Sequence, residues 1–292
     1  MGALDGRVAI ITGAGRGLGR EHALLFAQEG AKVVVNDLGG NIDGTGEDRA
    51  PAQLVVDEIE AMGGEAVANI DDVADWEGAQ RLINTAIEAF GDLHVLVNNA
   101  GILRDRVLVN MTEQEWDSVI HVHLKGHFCP TRFAAAYWRE QTKAGKSVKA
   151  SIVHTSSTSG LLGNPGQTNY GAAKSGIATF SQICAMELER YGVRSNAIAP
   201  AARTRLTEQT PGLSDVVVKP SDAGAFDAWD PANVSPLVAY LATEDCPHTG
   251  QAFLVQGGLV QLFQPWTLTT KIDKGDRWTV AELASEMHVF GG

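Results

Sequence analysis

The sequence has few cysteines, a deficit of positive charge and no long hydrophobic run. Its three cysteines, Cys129, Cys184 and Cys246, lie far apart and form no Cys-x-x-Cys pair. We therefore expect reduced thiols in a cytoplasmic protein, not a disulfide scaffold or a cysteine-based zinc site. The 23 Lys and Arg residues against 35 Asp and Glu residues leave a net charge of −12, which argues against nucleic acid as a partner. No apolar stretch approaches the roughly 18 residues of a membrane span, so we expect no membrane association.

Short β-branched runs alternate with longer segments whose apolar residues recur every three or four positions. This alternation predicts an α/β fold, with a doubly wound parallel sheet and helices on both faces, as in the Rossmann fold. The predicted strands are residues 8–12, 32–35, 66–70, 95–97, 151–154, 193–199 and 252–255. The predicted helices include residues 17–29, 52–62, 76–90, 113–139 and 169–190.

The chain is predicted to form one domain, residues 1–263, followed by a C-terminal extension, residues 264–292. The extension contains two tryptophans and other apolar residues, so we expect it to pack on the body or on a neighbouring subunit. Residues 279–288 can form a short amphipathic helix within it. Residues 38–51 are predicted to be a long loop, and residues 201–231 are either a mobile lid over the substrate or an ordered surface excursion.

A glycine-rich turn follows the first predicted strand. Gly13, Gly17 and Gly19 open the next helix, where free backbone amides and the helix dipole favour a pyrophosphate. The alternative is a tight strand-to-helix turn without a ligand. The preceding strand and Asp37, 18 residues after Gly19 at the end of the second strand, favour dinucleotide binding.

Asp37 bears on the choice of dinucleotide. Its carboxylate can accept hydrogen bonds from both adenosine ribose hydroxyls, whereas a 2′-phosphate would be repelled by about 4 kcal/mol per unit charge at ~4 Å. Arg16 in the glycine loop favours the 2′-phosphate instead. We give the carboxylate more weight and predict NAD as the cofactor. The alternative role for Asp37 is to cap the loop that follows it.

Tyr170 and Lys174 are four residues apart on a predicted helix, which puts the phenol and the ammonium on one face. The ammonium is expected to lower the phenol pKa towards neutrality, which suits proton exchange with an alcohol or carbonyl oxygen. A solvated surface pair would show the same spacing. Five hydroxyl residues, 155–159, follow a buried-looking strand, and a serine among them can donate to the substrate oxygen. A Ser/Thr-rich turn is the alternative.

These motifs together resemble the short-chain dehydrogenase/reductase family over about residues 5–260. They are Thr12-Gly13-x-x-x-Gly17-x-Gly19, Asn98-Asn99-Ala100-Gly101, and Tyr170-x-x-x-Lys174 with Ser157 thirteen residues earlier. The resemblance implies that Ser157 donates a hydrogen bond to the substrate oxygen, Tyr170 is the acid/base and Lys174 binds the nicotinamide ribose. It also implies a set of cofactor-binding residues: Gly13, Arg16, Gly17, Leu18, Gly19, Asp37, Asp72, Val73, Asn99, Ala100, Gly101, Tyr170, Lys174, Pro200, Ala202 and Thr204.

Two positions depart from the family pattern. Many members have an asparagine before Leu-Lys-Gly, whereas this chain has His123, so we place His123 among the catalytic residues with an open role in the proton relay. Pro200 is followed by Ala201 instead of glycine, which implies a differently shaped turn. His121, His123 and His127 lack the glutamate and third ligand of a zinc motif, so no metal is predicted.

A narrower resemblance lies in Asn36-Asp37, in Ala-Val-Ala-Asn69, in residues 98–106 and in Val122-His123-Leu-Lys-Gly. It is to the (3R)-hydroxyacyl-CoA dehydrogenase domain of peroxisomal multifunctional enzyme type 2, also called 17β-hydroxysteroid dehydrogenase type 4, and to its free-standing bacterial relatives. It implies an NAD-dependent enzyme of fatty-acid or sterol side-chain degradation that oxidises a 3-hydroxyacyl-CoA, and a homodimer or homotetramer. The alternatives are a hydroxysteroid dehydrogenase, a 3-oxoacyl carrier-protein reductase and a non-catalytic NAD-binding redox sensor.

Overall fold

The computed structural model describes residues 2–40, 45, 50–204, 207, 217–222 and 224–291. Within this part of the chain, one eight-stranded sheet has the order β3-β2-β1-β4-β5-β6-β7-β8. All neighbouring strands are parallel except β7 and β8. The strands are β1 Val8–Thr12, β2 Lys32–Asn36, β3 Glu65–Asn69, β4 Val95–Asn98, β5 Ala150–Thr155, β6 Val193–Pro200, β7 Ala252–Gln256 and β8 Leu259–Leu262.

The seven predicted strands are all present, with ends that differ by no more than one residue, and the α/β fold class is confirmed. Sequence reasoning missed β8, a four-residue strand exposed along its whole length. It continues from β7 through Gly257, whose φ is 51°, and pairs antiparallel with β7 at the edge of the sheet. An exposed strand of this length has no buried face and so gives no hydrophobic pattern.

The parallel strands are buried on both faces, and the period of two along each strand divides their side chains between two cores. In β1, Ala9 and Ile11 belong to one core, with Phe26 and Ile59 from the helices. Val8 and Ile10 belong to the other, with Leu82 and Trp138. The continuous apolar pattern of these strands therefore indicates that helices cover the sheet on both faces.

The described helices are α1 Gly17–Gln28, α2 Ala50–Ala61, α3 Trp76–Phe90, α4 Glu113–Ile120, α5 Gly126–Lys143, α6 Thr158–Leu161, α7 Thr168–Leu188, α8 Ser235–Ala242 and α9 Val280–Glu286. Helices α1, α2 and α8 cover one face of the sheet, and α3, α5 and α7 cover the other. Sequence reasoning missed α6 and α8. The single helix predicted for residues 113–139 is interrupted, because His121–Lys125 form a π-helical turn between α4 and α5.

The chain divides into two compact units, Met1–Leu262 and Phe263–Gly292. The second unit contains α9, in the region where a short helix is predicted, and Thr279 begins it through a capping box with Glu282. How the extension packs, as body contact or as subunit contact, stays a prediction. In the described residues, none of the helices is long and apolar enough to cross a membrane. Much of the predicted loop 38–51 and of the predicted lid 201–231 lies outside the described residues.

Candidate active site

A cavity of about 480 Å³ lies at the carboxyl ends of β1 to β4, where open α/β sheets bind ligands. Many of the predicted cofactor residues line it: Gly13, Arg16, Gly17, Leu18, Asp37, Asp72, Val73, Asn99, Ala100, Gly101 and Thr204. Gly19, Pro200, Ala202, Tyr170 and Lys174 are not among the described lining residues. The cavity is also lined by residues that were not predicted to bind the cofactor, among them Asn36, Asp71, Ile102, Arg104, Gln114, Ser118, His121 and Val122.

The glycine loop is held against the end of β4. Gly13 has a φ of 63°, and a Cβ there would lie 2.8 Å from the Ala100 Cα, so only glycine fits. The Thr12 hydroxyl oxygen accepts hydrogen bonds from the Asn99 and Ala100 amides at 2.9 and 3.1 Å. The Asn99 side-chain amide donates to the Thr12 and Gly13 carbonyls at 3.0 and 3.2 Å. These bonds fix the loop and explain the asparagine motif.

Asp37 lies directly after β2 and is partly exposed at the cavity. Its Oδ2 accepts from the Gly15 amide at 2.8 Å, and its Oδ1 accepts from the Gly39 amide at 2.7 Å. The carboxylate therefore caps both loops, as the alternative interpretation expects. Each carboxylate oxygen has a second lone pair, so this capping leaves room for hydrogen bonds from a ligand. Arg16 lines the same cavity.

Ser157, Tyr170 and Lys174 come together because α6 and α7 approach closely. Ser157 is the N-cap residue of α6, and its Oγ accepts from the Ser159 amide at 3.1 Å. Tyr170 and Lys174 lie in the first two turns of α7. A Cβ on Gly160 of α6 would lie 2.5 Å from the Ser175 amide nitrogen of α7, so glycine permits this packing. Ser157 and Tyr170 lie close enough for Ser157 to lower the pKa of the phenol.

The electrostatics of Tyr170 differ from the sequence-based expectation. Burial raises the pKa of Tyr170 from 10 to about 12, the neighbouring Ser157 lowers it in part, and the charge of Asp105 raises it. The expectation that Lys174 lowers the phenol pKa towards neutrality is therefore wrong for this structure, because burial has the largest effect. The Lys174 Nζ lies 5.4 Å from the Tyr170 ring centroid and donates instead to the Thr155 carbonyl at 2.6 Å. Burial also lowers the pKa of Lys174 from 10.5 to about 7, which weakens its positive charge at neutral pH.

His123 lies in the π-helical turn and packs its ring edge-on against Tyr170, with 5.1 Å between the ring centroids. Its Nε2 lies 2.7 Å from the Ile102 carbonyl oxygen and 3.1 Å from the Ile102 amide nitrogen. Its Nδ1 is buried and has no hydrogen-bond partner among the described residues. Burial lowers the pKa of His123 well below its usual value, and the positive charge of Lys174 lowers it further. His123 is therefore a neutral ring at physiological pH.

The neighbouring histidines do not form a metal site in the part of the chain that the structure describes. The His127 Nδ1 hydrogen bonds the His123 carbonyl at 2.7 Å, and its ring stacks on His154, with 5.6 Å between the centroids. Burial lowers the pKa of His154 to about 3. His121 is exposed and lines the cavity.

Pro200 ends β6, and the Ala201 amide donates to the Val255 carbonyl at 2.9 Å. No described residue other than glycine has a positive φ, so the alanine that replaces the family's glycine is unstrained here. Ala202 is buried, and Thr204 reaches the cavity opposite the glycine loop. Its Cγ2 lies 3.8 Å from the position of a Cβ on Gly17.

Comparisons with known proteins agree with this architecture. The family model described as short chain dehydrogenase matches residues 7–212. The chain is 43% identical over 295 residues to hydroxyacyl-CoA dehydrogenase ChsB1 of Mycobacterium tuberculosis, covering 98% of this chain and 89% of that protein. It is 49% identical over 246 residues to peroxisomal multifunctional enzyme type 2 of Drosophila melanogaster, covering 84% of this chain but only 38% of that longer protein.

Among solved structures, a short chain dehydrogenase from Mycobacterium avium superposes with a TM-score of 0.87 at 51% identity, covering 99% of this chain and 95% of that chain. The family model spans well over half of the sequence, and the ChsB1 alignment covers 98% of it. The resemblance inferred from the motifs is thereby confirmed. The chain belongs to the short-chain dehydrogenase family and is an oxidoreductase that acts on CH–OH groups.

Proposed function

We propose that this protein is an NAD-dependent dehydrogenase that oxidises a secondary alcohol to a ketone, with a (3R)-hydroxyacyl-CoA as substrate and a 3-oxoacyl-CoA as product. One observation carries the chemical part of the proposal. Ser157 lies close enough to Tyr170 to lower the pKa of the phenol, and the Lys174 Nζ lies 5.4 Å from the centre of the phenol ring. Two hydroxyls held in this way can both bind one substrate oxygen.

The side chains divide the reaction between them. Ser157 donates a hydrogen bond that holds the substrate oxygen, and Tyr170 takes the proton from the substrate hydroxyl. Lys174, fixed by the Thr155 carbonyl, supplies positive charge and a donor for the nicotinamide ribose. When bound, NAD accepts the hydride and in its oxidised form adds positive charge. Both charges favour the phenolate.

The residues around the cavity fit a dinucleotide. Gly13 leaves space where any Cβ would meet Ala100, and the loop that it begins leads into the amino terminus of α1, a site suited to a pyrophosphate. Asp37 retains lone pairs for the ribose hydroxyls while its charge repels a 2′-phosphate. These features support NAD over NADP. Asp72 and Val73 line the cavity after β3 and are candidates for adenine contact.

The substrate class rests on the relatives. One is named a hydroxyacyl-CoA dehydrogenase, and it aligns with nearly the whole of this chain. The multifunctional enzyme aligns through only 38% of its length. We propose that this chain carries out a dehydrogenase step in fatty-acid or sterol side-chain degradation. Hydroxysteroids and 3-oxoacyl carrier-protein substrates are the competing candidates within the same fold.

We further propose a cytoplasmic homodimer or homotetramer built through α5 and α7. Large apolar side chains on these helices are exposed, with exposures of 43% for Phe128, 47% for Ile183 and 75% for Met186. Such residues are typical of an interface between subunits. Light scattering at several protein concentrations measures this directly, and a monomer at all concentrations would contradict it.

A substrate panel tests the proposed function. Purified protein is assayed with NAD on (3R)- and (3S)-hydroxyacyl-CoA esters of increasing chain length and on 17β-hydroxysteroids, and the NADH formed is followed. We expect the highest kcat/KM on a (3R)-hydroxyacyl-CoA. A higher value on a steroid would replace the proposed substrate, and no turnover of any alcohol would support a redox sensor.

Tyr170→Phe is the matched variant. It should lower kcat about 100-fold or more with little change in NAD affinity, because only the proton-transferring hydroxyl is removed. Tyr240→Phe, which changes an exposed tyrosine on α8, is the control and should leave both quantities unchanged. Retention of most of the turnover by Tyr170→Phe would mean that another group moves the proton.

A further inference from the structure

Asp105 lies in the segment after β4 and is joined to the residue that precedes α7. The Gln167 Nε2 donates to the Asp105 Oδ2 at 2.7 Å. The Gln167 Oε1 accepts from the Ser159 Oγ at 2.7 Å and from the Asn164 Nδ2 at 2.9 Å. Because both ends of the amide are engaged, Gln167 can present only its nitrogen to Asp105. This buried glutamine therefore links Asp105 to the loop that carries Ser157.

Backbone contacts hold the same segment against the first turn of α7. The Arg106 amide donates to the Gly166 carbonyl at 2.8 Å. The Asn169 Nδ2 donates to the Arg104 carbonyl at 3.0 Å, and its Oδ1 accepts from the Tyr170 amide at 2.7 Å. Asn169 is fully buried. The Asn169 side chain thus ties the backbone next to Asp105, at Arg104, to the backbone amide of Tyr170.

Asp105 also brings a negative charge to the start of α7, the helix that carries Tyr170, because it accepts from the N-cap residue Gln167. Its Oδ1 is buried and has no hydrogen-bond partner among the described residues, and its negative charge raises the pKa of Tyr170. The other groups around the phenol are the Ser157 hydroxyl, the Lys174 ammonium and the neutral ring of His123. Burial raises the pKa of Asp105, and the hydrogen bond from Gln167 lowers it.

The flanking charges on the segment include those of Arg104 and Arg106. Arg106 forms an ion pair with Glu115 of α4 at 3.0 Å. The Asp105 carboxylate therefore opposes Lys174 at the phenol. A negative charge near Tyr170 disfavours the phenolate by the same electrostatics through which Lys174 favours it.

We propose that Asp105 is a positioning residue for the reaction of Tyr170: with Gln167 it fixes the first turn of α7, and its negative charge favours the neutral, proton-bearing phenol. This inference rests on the proposed function, because it takes Tyr170 as the acid/base. Its consequence is an enzyme that keeps the proton on Tyr170 at neutral pH. Oxidation, which needs the phenolate, is then restrained until the pH rises.

The test compares Asp105→Asn with the charge-retaining Asp105→Glu. For each variant, kcat/KM for alcohol oxidation is measured from about pH 6 to 10. The pH midpoint of the rise in kcat/KM is then obtained by fitting. We expect the midpoint of Asp105→Asn to move down by about one pH unit, while that of Asp105→Glu stays close to the unmodified enzyme. Removing a negative charge lowers the pKa of both Tyr170 and Lys174, so the direction is the same if the two titrate together.

Glu113→Gln is the matched control, since it removes one exposed carboxylate from α4, and its midpoint should not move. Thermal unfolding of each variant separates a folding defect from an electrostatic one. If Asp105→Asn does not fold, Asp105→Ser removes the same charge and should shift the midpoint in the same direction. An unmoved midpoint in a folded, charge-free variant overturns the proposal.

Tyr170→Phe, assayed beside these variants, separates the two failures. If Tyr170→Phe is inactive and the charge-free Asp105 variant keeps its midpoint, the role of Asp105 is wrong and the proposed function stands. If Tyr170→Phe retains its turnover, the acid/base assignment fails, and the role of Asp105 fails with it.

Discussion

Replacing Asp37 by alanine should change the cofactor preference through two structural effects. At ~4 Å and an effective dielectric near 20, the carboxylate repels each unit of 2′-phosphate charge by about 4 kcal/mol, or about a thousandfold in kcat/KM. The substitution also frees the Gly15 and Gly39 amides, which now donate to the carboxylate at 2.8 and 2.7 Å. Two free amides beside Arg16 are donors for a phosphate.

We therefore expect Asp37→Ala to lower kcat/KM for NAD, which loses its ribose acceptor, and to raise it for NADP. The NAD/NADP ratio should fall by about a hundredfold or more. The assay is steady-state kinetics with both cofactors at one alcohol concentration. Asp57→Asn, which removes an exposed charge from α2, is the control. Equal use of both cofactors by the unmodified enzyme, or an unchanged ratio in Asp37→Ala, would refute the reasoning.

Three further predictions concern His123, acid stability and the C-terminal extension. His123→Asn restores the common family residue and should give a folded, at least partly active enzyme; complete loss of kcat would show that the ring is irreplaceable. Burial lowers the pKa of His22 and of His154 from 6.5 to about 3, so the unfolded chain binds protons first as the pH falls below 6.5. The free energy of unfolding should then drop by about 2 kcal/mol per histidine by ~pH 5. In denaturant titrations, His22→Asn should make this drop smaller. Replacing the exposed His288 is the control and should leave the drop unchanged. Deleting residues 265–292 should lower the melting temperature or the oligomer mass in light scattering, and a truncated protein with unchanged stability, mass and activity would make the extension dispensable.

The sheet was predictable because each parallel strand is buried on both faces. Burial of both Val8 and Ala9 leaves an apolar run that contrasts with the mixed pattern of the helices. Helix α6 has only four residues, too short for a helical period, and its start depends on a cap by Ser157. The interruption at His121–Lys125 was equally hidden, since one extra residue in a turn leaves both flanking patterns intact.

The glycine loop and the Ser157, Tyr170 and Lys174 set were predictable because their spacings are local. The long-range hydrogen bonds that hold the surrounding segments in place were not predictable. Gln167 reaches Asp105 across 62 positions, and Arg7 reaches the Lys149 carbonyl across 142. Nothing in the sequence near either partner specifies such a pair. The one available signal was position: Gln167 lies three residues before Tyr170, and Asp105 lies four residues after Gly101, each beside a motif.

The pKa of Tyr170 shows where reasoning from spacing stops. Four residues on a helix put Lys174 on the same face as the phenol, but spacing does not give the solvent exposure of that face. In the folded chain α6 covers it, Lys174 is 2% exposed, and burial disfavours the charged forms of both the phenol and the amine. A buried cation of this kind favours the phenolate less than a fully charged one, because its own charge is partly lost at neutral pH. The positive charge of an oxidised nicotinamide would act on both groups, lowering the pKa of Tyr170 and of Lys174. Cofactor binding and activation of the base are therefore expected to be coupled in this protein.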